Sequence, residues 1–163
     1  NAITGTANTI QLGTNNTEYK MSIGRLPVIS GNSRFVFHTT LTNLGSLSGG
    51  SNTDLSVSQF LGGYIYGVYS GGSGPRTLTT PTATEIVNGL VNVAIGTSFQ
   101  LWISNRAAGP PAGGKDFVLT AGSGITITGT PAIGNARTRQ FLVIVNNVGT
   151  PAVEIISLSY GDN

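Results

Sequence analysis

The chain has 163 residues, of which 39% are hydrophobic and only 9% are charged. That length carries one domain with a sizeable core, and the hydrophobic share excludes a disordered chain. Eight Lys and Arg against six Asp and Glu leave a net charge of +2, and the basic residues are scattered, so the clustered stripe that nucleic-acid binding requires is missing.

Cysteine is absent, which removes disulfides, thiolate nucleophiles and Cys-ligated zinc. No apolar run approaches the ~20 residues of a membrane span, so no membrane partner is expected. With 24 glycines among many Thr, Ser and Asn residues, the composition fits an all-β protein rich in turns. Its weak charge repulsion suits an assembled protein better than a free monomer. A chain beginning at Asn1 with no signal peptide reads as a processed or excised piece.

Residues 1–18 are Asn/Thr-rich with isolated apolar positions and predict an extended N-terminal arm. A single domain is expected over 19–163. Tyr19, Met21 and Ile23 alternate with polar residues up to Leu26, where Pro27 marks a strand end. Arg34 to Leu41 predicts a second strand. Leu55 and Val57 alternate with Ser56 and Ser58 and predict another, running into Phe60 and Leu61. Tyr64 to Tyr69 reads as a strand with aromatics on both faces.

Pro81 to Leu90 is the one predicted helix. Thr82 is its expected N-cap and Glu85 the capping-box partner three residues on. Phe99, Leu101 and Ile103 then share one strand face, with Gln100, Trp102 and Ser104 on the other. Arg106 to Gly114 reads as an exposed loop. Around Ala121-Gly122-Ser123-Gly124, two short apolar runs predict a tight turn inside a β-meander. Phe141, Val143 and Val145 oppose Leu142 and Ile144 on a longer strand, and Val153 to Ser159 forms the last one. These elements predict a two-sheet antiparallel β-sandwich, jelly-roll-like, with at most one short helix near 81–90.

Little in this pattern carries chemistry. His38 is the single histidine and lies inside a strand run, and no G-x-S-x-G elbow surrounds any serine. The acids Glu18, Asp54, Glu85, Asp116, Glu154 and Asp162 are scattered rather than paired as glycoside hydrolysis would need. No catalytic residue, metal ligand or cofactor is therefore assigned, and calcium on oxygen ligands is the one realistic exception. The glycine-rich pieces lack the Lys-Ser/Thr setting of a phosphate loop. Four aromatics, Tyr64, Tyr66, Tyr69 and Trp102, remain as candidate binding residues, because a sugar platform needs exposed rings beside amide or hydroxyl donors. The competing reading, favoured by the burial habit of aromatics, packs these rings in the core or a subunit interface.

From Leu78 to Tyr160 the chain resembles the jelly-roll head and spike domains of bacteriophage and giant-virus fibres and capsid decorations. The carriers are Pro81 to Val87, Gly96 to Asn105, Leu119 to Gly129 with its Thr-Ala-Gly-Ser-Gly turn, Arg137 to Val143, and Ile155 to Leu158. The resemblance implies a β-sandwich, usually trimeric, carried at the virion surface, and it transfers no binding or catalytic residue. The expected function is that of a viral structural surface protein acting in assembly and host attachment. Its expected partners are further copies of itself, other virion proteins and a host-surface glycan. A carbohydrate-binding lectin-like module is the alternative, and a polysaccharide-degrading enzyme stands behind both.

Overall fold

The computed structural model describes residues 40–107 and 115–162, with side chains as far as 158. They belong to the unit His38–Asn163. The predicted arm over 1–18, the strand from Tyr19 to Leu26, His38 and the Pro110-Pro111 loop lie outside the described residues.

The described residues form ten strands and two helices. In chain order these are β1 (Thr40–Ser48), β2 (Asn52–Asp54), α1 (Val57–Leu61), β3 (Gly63–Gly71), β4 (Arg76–Thr79) and α2 (Ala83–Gly89). Then come β5 (Ser98–Asn105), β6 (Phe117–Thr120), β7 (Ile125–Thr128), β8 (Ala132–Ile133), β9 (Arg137–Asn147) and β10 (Ala152–Asp162). The larger sheet has the order β1-β3-β5-β9-β10-β7, and the smaller β2-β4-β6-β8. From β1 to β9 the chain therefore changes sheet at every strand.

This alternation fixes strand direction. After β1 the chain crosses to β2, passes through α1 and returns to the larger sheet as β3, parallel to β1. A second circuit through β4 and α2 brings β5 parallel to β3, while β2, β4 and β6 stack parallel in the other sheet. Parallel neighbours need such crossovers, here built from a strand and a helix. Among the described residues, only β5–β9, β9–β10 and β6–β8 pair antiparallel.

The β-rich, two-sheet architecture agrees with the sequence, but the antiparallel expectation is corrected: both sheets are mixed. A jelly roll pairs its strands antiparallel, whereas five of the eight pairings among the described residues are parallel. Period-two alternation reports which face a residue takes and is silent on strand direction. The predicted meander around residue 122 is corrected for the same reason. Strands β6 and β7 stand in different sheets, and the turn between them carries the chain across.

The limit of one helix is also corrected. The segment read as a strand from Leu55 turns helical after Ser56. The Ser56 hydroxyl accepts from the Gln59 N–H at 3.2 Å, and the Gln59 side chain accepts from the Ser56 N–H at 2.9 Å. This is the same reciprocal capping that opens α2 at Thr82 and Glu85. The two helices pack together at Gly89, where a Cβ would come within 2.6 Å of Val57 Cγ1 and 2.9 Å of Leu61 Cδ1.

One core joins both sheets and both helices. Ile65, Leu101, Ile103, Phe141, Val143 and Ile155 enter it from the larger sheet, Leu78, Phe117, Leu119 and Ile133 from the smaller, and Phe60 and Ile86 from the helices. Phe60 meets Phe99 edge to face, with centroids 6.0 Å apart. The expected inward set of β9, Phe141, Val143 and Val145, is fully buried, and Leu142 and Ile144 take the outer face.

Candidate ligand-binding face

With inward residues fixed by the core, alternation assigns the outer face of the larger sheet. Along β3 the inward positions are Gly63, Ile65, Gly67 and Tyr69, so Tyr64, Tyr66 and Val68 face out. Register then aligns neighbours across strands. Leu41 on β1 pairs with Tyr64, Tyr64 with Trp102 on β5, and Trp102 with Gln140 on β9. The next outward row is Asn43, Tyr66, Ser104 and Thr138.

Three of the four candidate aromatics, Tyr64, Tyr66 and Trp102, therefore share one face, each half-buried. Tyr69 does not join them. It is buried in the core, and its hydroxyl donates to the carbonyls of Gly74 at 2.8 Å and Gly72 at 3.2 Å. Position decides this: Tyr69 is an odd number of residues from Tyr64 and Tyr66 and takes the opposite side of the strand.

Sequence reading missed the residue that organises the face. The sequence pattern places Arg106 in a loop, yet its N–H donates to the Gly67 carbonyl at 2.8 Å and extends the β3–β5 ladder by one step. It is two residues beyond Ser104 and four beyond Trp102, so it continues the outward alternation. Its guanidinium carbon lies 4.0 Å from the centroid of the Tyr66 ring and 5.9 Å from that of Tyr64. The two rings are 6.5 Å apart and tilted by 57°. A cation over a tyrosine face gains from the ring quadrupole, about 0.5–1 kcal/mol at exposed sites.

The Tyr64 hydroxyl joins this cluster. Partial burial pushes its pKa up, but hydrogen bonds to the Arg106 and Ser104 side chains, the guanidinium charge and Thr138 outweigh burial and hold it below the usual tyrosine value. Asn43 adds an amide at the edge of the face. Its Oδ1 accepts from the Gly45 N–H at 2.8 Å, which turns the chain at a glycine with φ of 72°.

The acids with described side chains do not gather. Asp54 is on β2 and Asp116 precedes β6. Glu85 accepts from the Thr82 N–H and hydroxyl, both at 2.8 Å. Glu154 accepts from Thr128 at 2.9 Å and Asn146 at 3.4 Å. Among the described residues no group of three His, Cys, Asp or Glu side chains is placed to hold a metal ion.

No protein-family model, curated protein or solved structure matches the chain.

Proposed function

We propose that this protein is a non-enzymatic surface component that works in assembly and attachment, and that it binds a saccharide on the outer face of its larger sheet. The observation that carries this reading is the alignment of Tyr64 with Trp102, bordered by Asn43, Thr138 and Gln140. Aromatic faces take the apolar side of a pyranose, and amides and hydroxyls around them bond its hydroxyl groups. The site residues stand on paired strands rather than on loops, which favours a preformed site. The virion setting comes from the resemblance of Leu78 to Tyr160 to viral head and spike domains.

A glycan array probed with the intact protein tests the reading. Binding to a restricted set of glycans is expected, weakened at least tenfold by Trp102→Ala in a sample whose circular dichroism is unchanged. Binding that survives Trp102→Ala and Tyr64→Ala at full strength would move the site elsewhere. Absence of glycan binding would leave assembly alone.

A further inference from the structure

We propose that the saccharide taken by this face carries a carboxylate and that Arg106 reads it, an inference that rests on the saccharide reading above. Tyr66 is not a bare platform, because Arg106 covers its ring at 4.0 Å. What the site offers at this end is a guanidinium held over a tyrosine ring. Its contact with the Tyr66 ring, with Tyr64 beside it, restricts its rotamers, so little further order is lost when a ligand binds.

A guanidinium has five N–H donors in its own plane. Arg106 is exposed where it crosses the ring, and the fork of its donors matches a carboxylate bidentately. The described acids lie elsewhere: Asp54 and Asp116 with the smaller sheet, Glu85 in the α2 cap, Glu154 bonded to Thr128 and Asn146. Asp162 pairs in register with Arg137, on the row beyond Thr138. The positive end of the face is thus complementary to an acidic ligand. Tyr64 and Trp102, side by side in register, would support the sugar ring while its carboxylate meets Arg106.

Calorimetric titration with matched oligosaccharides tests this. One is a uronic-acid oligosaccharide, the second its carboxyl-reduced neutral counterpart, and the third a sulfated counterpart of equal length. The uronate form is expected to bind about tenfold more tightly than the reduced form, as a charge-assisted hydrogen bond would give. Arg106→Gln should abolish the preference, so that the uronate and reduced forms bind the variant equally. Arg106→Lys should retain part of the preference. Equal affinity for uronate and reduced forms, both lost in Trp102→Ala, would overturn the carboxylate assignment and keep the saccharide reading. Tighter binding of the sulfated form would overturn it in favour of another anion. Binding of none of the three would overturn it together with that reading.

Discussion

Gly122 lies against the backbone of Thr80. A Cβ at position 122 would come within 2.6 Å of the Thr80 carbonyl oxygen and 2.7 Å of that of Pro81. The Gly122 N–H donates to Thr80 Oγ1 at 2.8 Å, and next to it the Ala83 N–H donates to the Ser123 carbonyl at 2.9 Å. The turn between β6 and β7 is thereby clamped to the start of α2. Backbone carbonyls cannot swing aside as a side-chain tip can, so Gly122→Ala should behave as an overpacked core substitution, costing about 1–3 kcal/mol. For a domain of this size each kcal/mol corresponds to a melting-temperature loss of roughly 2–4 °C. Thermal unfolding by circular dichroism reads the effect, and an unchanged midpoint would show that the turn can retreat from α2.

The cap of α2 gives a pH dependence. Hydrogen bonds from the Thr82 backbone and hydroxyl hold the Glu85 carboxyl below the usual glutamate range. A carboxyl depressed in the folded state stabilises above its unfolded pKa, and the contribution disappears as pH falls through the folded value. Glu85→Gln removes that titration and keeps a similar shape. The midpoint of the wild type should therefore exceed that of the variant at neutral pH, and the two should converge in acid. A gap that stays constant down to pH 2 would mean that the charge contributes nothing.

The outer face of the larger sheet changes character along β9 and β10. Beyond Gln140 the outward residues are Leu142 and Ile144, and register sets Leu142 beside Ile156. Leu158 adds a side chain 50% exposed. We expect copies of the chain to associate through Leu142, Ile156 and Leu158 and leave the Arg106 end open. Light scattering should show a mass above the monomer, and Ile156→Lys should shift it toward the monomer by placing a charge in an apolar contact. A monomer mass that does not rise with concentration would refute self-association of the isolated chain.

The faces of the strands were legible in the sequence because burial and alternation are local. Phe141, Val143 and Val145 turned inward as expected, and Trp102 turned outward from Leu101 and Ile103. The helix over Ala83–Gly89 was legible through Thr82 and Glu85. Ser56 and Gln59 carried the same signal with a weaker partner, and the Leu55–Val57 alternation masked it. Strand direction was not legible, since the parallel pairing of Tyr64 with Trp102 depends on a circuit through the other sheet. Arg106 was missed because Pro110-Pro111 and Gly113-Gly114 marked its neighbourhood as a loop, and a strand end has no sharp local mark.

The position of β10 has a consequence for biosynthesis. This strand lies between β9, its antiparallel neighbour, and β7, its parallel one. Ile125–Thr128 is made well before residues 152–162, and no other described strand of its sheet pairs with it. A nascent chain that has emerged only as far as β9 therefore holds β7 with no partner in that sheet, and its row of unpaired amides is open to other chains. The insertion of β10 pairs one edge of β7 and leaves the other as the rim of the described sheet. Yield during synthesis should thus depend on how quickly the stretch after Asn147 follows its predecessors, with crowded polysomes the setting in which nascent copies capture one another.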